Sequence, residues 1–113
     1  MVPRRQERRL PKPPSSESRS EPRAERIIRR VRSIPEGFVS TYGDIDPSAP
    51  RMVGRVLATH PAASEKSLPW HRVVRADGRA PKGDVQLELL RREGIPLRGD
   101  RVDLRLARLP RDI

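Results

Sequence analysis

The chain has 113 residues, no cysteine and two histidines, so it is short enough for one domain and offers no disulfide framework, no thiolate metal site and no thiol nucleophile. It has no run of about 18 apolar residues and no apolar stretch after its basic N-terminus, so neither a membrane span nor a secretory signal is expected, and the cytoplasm is the default. The formal net charge of +10 points to a polyanion, nucleic acid first, with plain solubility as the weaker alternative.

Residues 1–23 read as a disordered basic arm. They hold five prolines, four serines, almost nothing apolar, and seven basic against three acidic side chains. Such an arm can slide along phosphates without sequence preference; a solvated tail with no role is the equal alternative. Residues 24–113 are expected to form the folded domain. A first helix starts near Ala24, with Ile27, Ile28, Val31 and Ile34 as its apolar stripe, and Pro35 to Gly37 end it. A short second helix begins at "STYGDI", capped by Ser40 or Thr41 with Asp44 in its first turn. The spacing predicts a third helix over "PRMVGRVLATH", capped by Ser48 with Pro50 in its first turn. Met52, Val53, Val56 and Leu57 form its apolar face. Arg51, Gly54, Arg55 and Ala58 share the other, two cations flanking two small residues. Gly54 in mid-helix costs about 1 kcal/mol against alanine, which suggests close approach of another backbone. Helix, break, helix is the helix-turn-helix arrangement.

His60 to Leu68 reads as a loop, "HRVV" as a short strand, and Asp77-Gly78 as a tight hairpin turn. A fourth helix is expected, capped by Asp84, bearing Val85, Leu89 and Leu90, with a Glu88–Arg92 pair and an end at Gly94. The alternation in "RVDLRL" suits a closing strand. The fold class expected is mainly α with a small β hairpin or wing.

At "PWHRV" the chain resembles a family. From Ile34 to about Pro110 it is similar to the DNA-binding, C-terminal domain of the O6-alkylguanine-DNA alkyltransferases, a winged helix-turn-helix. That family carries Pro-Cys-His-Arg-Val at its active site, and here Pro69-Trp70-His71-Arg72-Val73 stands in its place. Tryptophan at the cysteine position is the mark of the alkyltransferase-like proteins, which transfer no alkyl group. "IPEGFVSTYGDI", "RMVGRVL" and "LLRREG" follow the family's order of motifs. In departure from it, "DIDPSAP" clips the helix before the recognition helix, "RAPKGD" lacks the usual lid tyrosine and paired glycines, and His60 stands near a usual asparagine.

The resemblance implies a set of roles. Arg51 would fill the space left by an extruded nucleotide, with Gly54 and Ala58 suiting entry of the helix into the minor groove and Arg55 reaching a phosphate. Tyr42 would press on the phosphate beside the target base; taken alone, it reads as a half-buried core aromatic. Trp70 would floor the lesion pocket, with a plain core residue as its alternative. His71 and Glu93 would be a retained hydrogen-bond pair with no thiolate left to activate. Arg72 would brace the site or meet backbone carbonyls, and Lys82 would cover the base. The implied partners are double-stranded DNA containing O6-alkylguanine and nucleotide excision repair proteins. A monomer associated with the nucleoid is expected, with no cofactor, metal or membrane. Two other readings remain. One is a small winged-helix regulator or nucleoid component without lesion specificity; the other, disfavoured by the missing cysteine, is an enzyme using another nucleophile.

Overall fold

A computed structural model describes residues 21–110, so the expected arm lies almost wholly outside the described residues. Helix α1 spans Arg23–Arg32, with Glu25 in its first turn and Arg29, Arg30 and Arg32 in its last, each sign favourable to the helix dipole. Its expected stripe is buried: Ile27, Ile28 and Val31 on the helix, and Ile34 two residues past its end.

Strand β1, Ser40–Thr41, leads directly into helix α2, Tyr42–Ile45. Thr41 is the cap. Its Oγ1 accepts from the Asp44 N–H, and Asp44 Oδ2 accepts from the Thr41 N–H, both at 3.1 Å. Helix α3 spans Pro50–Thr59. Here the expected Ser48 cap is corrected: Ala49 occupies the cap with no side-chain bond. The Ser48 hydroxyl is taken by Asp46, donating to Oδ1 at 3.0 Å, while Arg23 donates to Asp46 Oδ2 at 2.7 Å. With Pro50 at the first helical position, one of the unpaired N–H groups of the helix start is absent anyway. Buried Asp46 thus ties the start of α1 to the turn between α2 and α3. Burial alone would raise its pKa, but Ser48 and Arg23 overcome this and hold it below the ordinary 3.8.

After a single-turn 3-10 segment at Pro61–Ser64, a second at Trp70–Arg72 leads into strand β2, Val73–Val74. The expected strand over "HRVV" is therefore halved. The Asp77-Gly78 turn is present, closed by Gly78 N–H to the Arg75 carbonyl at 2.8 Å and Arg75 N–H to the Arg79 carbonyl at 2.9 Å. It does not join two paired strands, however. β2 pairs in parallel with β1, Ser40 opposite Val73 and Thr41 opposite Val74, and Arg79 bridges to Arg101.

Helix α4, Asp84–Arg92, buries Gln86, Leu87 and Leu90, whereas Val85 is exposed and Leu89 only partly covered. The inward stripe is phased differently from the expected one because a glutamine belongs to it. Gly83, at φ +71°, is the cap in place of Asp84, and Gly94, at φ +75°, follows the helix. Glu88 pairs with Arg92 at 3.4 Å as expected. Strands β3, Leu97–Arg98, and β4, Arg101–Val102, make an antiparallel hairpin. The expected closing strand stops at Val102, because Asp103 accepts from the Arg105 N–H and starts helix α5, Leu104–Ala107.

Two apolar clusters form the core. One gathers α1, α2 and α3 around Ile27, Val31, Ile34, Ile45, Val53 and Val56. The other joins Val39, Val74, Leu90, Ile95, Val102 and Ala107. Val73 belongs to the first and Val74 to the second, since consecutive strand residues face opposite sides. The β1–β2 pair is therefore the seam that fixes the helix-turn-helix against the Trp70 segment.

Candidate nucleic-acid interface

On α3, Val53 and Val56 are buried, which turns Arg51, Arg55 and Ala58 outward with Gly54 between them. Against this face lies a hollow of about 480 Å³, lined by Tyr42, Gly54, Ala58, Trp70, Lys82 and Gln86 together with Leu57, Ala63, Val73, Pro81 and Val85. Its size falls within the roughly 300–1,000 Å³ of typical small-molecule sites, and most of these side chains are apolar, as such sites require. The indole of Trp70 is neither sealed in the core nor fully exposed.

Of the expected pocket residues, Trp70 and Lys82 line this hollow. His71, Arg72 and Glu93 do not; they stand outside its lining as a brace. Glu93 Oε2 is 2.8 Å from His71 Nε2 and accepts from Arg72 Nη2 at 2.7 Å, and Glu93 Oε1 accepts from Arg72 Nε at 2.9 Å. Arg72 Nη1 also donates to the Ile34 carbonyl at 2.7 Å. The cluster clamps the Trp70 turn to the end of α4 and to the chain after α1. Burial would raise the Glu93 pKa, but the Arg72 guanidinium and the His71 ring overcome it and hold the carboxyl below the ordinary 4.5. The His71 ring meets the indole edge-on, at 6.0 Å between centroids and 82° between planes.

Tyr42 is half-buried at the hollow's edge. Burial raises its hydroxyl pKa above 10.0, the Arg75 charge opposing only in part, so at neutral pH it remains a hydrogen-bond donor. Among the described residues, Arg51, Arg55, Arg75 and Lys82 have no side-chain partner. Most arginines of α1 are tied: Arg23 to Asp46, Arg29 to Glu21, Arg32 to Glu65, and Arg30 to the Ile45 carbonyl. Of these four, Arg51 and Arg55 stand on α3, and Arg75 and Lys82 line hollows that Tyr42 borders. No internal backbone crowds Gly54; a Cβ there would meet only Tyr42 Cε2, at 3.6 Å.

Gln86 was not anticipated. It is 1% exposed, donates through Nε2 to the His71 and Val73 carbonyls at 2.9 Å each, and accepts from the Lys82 N–H at 3.0 Å. It fixes the pocket wall to the Lys82 loop. A single glutamine in a helix gives no signal by itself; its place one residue before Leu87 and four before Leu90 was the available hint. His60 holds its own turn by accepting from the Ala62 N–H at Nδ1 and contacts Glu25 at 3.2 Å through Nε2.

Residues 22–95 match the family model of the 6-O-methylguanine DNA methyltransferase DNA-binding domain. The chain belongs to this family. Among its relatives, the DNA base-flipping protein of Escherichia coli is 40% identical over 90 residues, 71% of this chain and 68% of that one. Alkyltransferase-like protein 1 of Schizosaccharomyces pombe is 36% identical over 84 residues, 64% of this chain and 75% of that protein. The fold matches that of S. pombe Atl1 in complex with damaged DNA containing O6-carboxymethylguanine, with a TM-score of 0.62 and 30% identity over 78% of this chain and 95% of that one. A second S. pombe complex with DNA matches at 0.60 and 30%, covering 77% and 94%. The mainly helical winged fold is thus the family's. Trp70 holds the position that the resemblance gives to cysteine, and the chain has no cysteine elsewhere. No helix among the described residues is long and apolar enough to cross a membrane.

Proposed function

We propose that this chain is a non-enzymatic DNA-damage recognition protein that binds O6-alkylguanine in duplex DNA and flips it out of the stack. Helix α3 docks in the minor groove, Arg51 takes the place of the extruded nucleotide, and Arg55 meets a phosphate. Tyr42 presses on the phosphate beside the lesion, the alkylated base lies against Trp70, and Lys82 covers its ring. Unstacking costs a few kcal/mol, and a damaged pair resists least. An indole contacts alkyl groups by area and dispersion, so several O6-alkyl sizes fit the same floor.

The observation that carries this reading is the hollow between Trp70 and the Gly54–Ala58 face of α3. The relatives named for base flipping and the S. pombe complexes with DNA support it. Alkyl transfer does not occur, because no thiol is present to accept the group. His71, Arg72 and Glu93 serve instead to hold the Trp70 turn in place. The bound complex, formed by a monomer in the cytoplasm and associated with the nucleoid, flags the lesion for nucleotide excision repair. The basic residues that precede α1 add phosphate contacts without sequence preference. Titration of matched duplexes with and without one O6-methylguanine, at fixed salt, tests the central reading. Binding of the modified duplex at least about tenfold tighter, roughly 1.4 kcal/mol, is expected. Equal affinity contradicts it and leaves a winged-helix protein without lesion specificity.

A further inference from the structure

Beside the Trp70 hollow lies a second, more open one of about 440 Å³. Tyr42, Gly54 and Pro81 line both, so the tyrosine ring stands as a partition between them. The far side is lined by Thr41, Gly43 and Pro50 and carries two cations, Arg51 and Arg75. Arg51 already has a role in the reading above; Arg75 has none. Its backbone is fixed, since its N–H closes the Asp77-Gly78 turn and it directly follows the paired strand β2. Its side chain is exposed and makes no hydrogen bond or ion pair among the described residues, although Asp77 and Asp100 lie nearby in sequence or along the adjoining surface. Asp77 is taken up by Arg79, accepting from its N–H at 3.0 Å and contacting its guanidinium at 3.4 Å.

We propose that Arg75, together with the Tyr42 hydroxyl, forms a binding site for one backbone phosphodiester of the duplex, immediately beside the nucleotide that enters the Trp70 hollow. A guanidinium offers forked donors that match phosphate oxygens, and a neutral phenol adds a further donor. The Arg75 charge acts on the Tyr42 hydroxyl across this hollow. An open trough, rather than a closed pocket, suits a ligand whose chain continues in both directions. Arg75 then pins the backbone on one side of the Tyr42 partition while the base occupies the other. The inference rests on the function proposed above and adds to it a backbone anchor at a position outside the motifs that the resemblance covers.

The test uses the full chain, Arg75→Gln and two measurements. In the first, the affinity for a duplex with one O6-methylguanine is followed as a function of salt. Loss of one phosphate contact is expected to make the slope of log K against log salt shallower by about 0.9. In the second, phosphates around the lesion are replaced one at a time by neutral methylphosphonates. The wild-type chain should weaken markedly at one position flanking the lesion, and Arg75→Gln should show no further loss there while remaining sensitive elsewhere. Because the side chain is exposed and unpartnered, the variant should melt at the wild-type temperature, which is checked first. An unchanged slope together with an unchanged methylphosphonate profile overturns the Arg75 site even if lesion preference is intact. If the wild-type chain shows no lesion preference, the reading of function fails, while a shallower slope on unmodified duplex still establishes the phosphate contact.

Discussion

Gly78 shows what a single residue is required for in this fold. Its φ of +88° is a region that other residues rarely adopt, and a Cβ there would overlap the Val102 carbonyl oxygen. Its own carbonyl accepts from the Val102 N–H at 2.8 Å, so the turn is stitched to β4. Gly78→Ala is expected to lower stability by about 3 kcal/mol, read by urea unfolding, through strain and the displaced strand. A loss below about 0.5 kcal/mol would show that the stitch is dispensable. The sequence marked this turn through Asp77-Gly78 but not its partner, because the 23 residues between Gly78 and Val102 carry no local sign of pairing.

Glu93 is the second such residue. With Asp44 and Asp46 it is held below its ordinary pKa in the fold, against burial, by partners including Arg72, Arg108 and Arg23. A carboxyl lowered in this way contributes stability that is fully present above its unfolded value and lost as pH falls through its folded one. Stability should therefore be level above about pH 5 and decline as the pH drops below the ordinary values of 4.5 and 3.8. Glu93→Gln should make this decline shallower and cost about 3 kcal/mol at neutral pH, since Arg72 loses its counter-charge. Acid unfolding followed by circular dichroism checks both; an acid limb as steep as in the wild type would place the effect elsewhere.

At the scale of elements, α3 carries a conflict between stability and function. Gly54 weakens the helix, yet nothing inside the fold requires it, as a Cβ would find ordinary contact with Tyr42 and otherwise open space. Gly54→Ala should therefore stabilise the chain by up to about 1 kcal/mol in thermal unfolding while weakening duplex binding, because the added methyl stands where the minor groove must approach. Stabilisation with unchanged affinity would remove α3 from the groove. Locally encoded elements were the most legible. The α1 stripe and the Thr41–Asp44 box depend on residues three or four apart, and both stand where the spacing puts them. Elements decided by competing partners were not. Ser48 lost its capping role to Asp46, and "RVDLRL" alternates equally well as a strand or as a strand followed by the capped turn that Asp103 starts. The inward stripe of α4 differs in phase from the one its apolar residues mark, because Gln86 counts as polar until its three backbone bonds are known.

For the molecule as a whole, charge alone would have spread the interface over every arginine. The fold instead commits most cations of α1 to internal partners and leaves others free around Tyr42, α3 and the Trp70 hollow. That partition arises from contacts distant in sequence, such as Arg32 with Glu65 and Arg23 with Asp46, and so could not be read along the chain. The candidate pocket was legible only through a resemblance, since Trp70, Gly54 and Lys82 come from separate segments that the β1–β2 seam brings to one place. The central claim is that an alkylated base leaves the duplex and comes to rest against the indole. Trp70 is the chain's sole tryptophan, so its fluorescence reports on that contact directly. Titration with a duplex bearing one O6-methylguanine should quench Trp70 emission to a plateau at one chain per lesion, while the matched unmodified duplex, bound to equal saturation, leaves most of it intact. Equal quenching by the two duplexes, or none by either, would contradict the account.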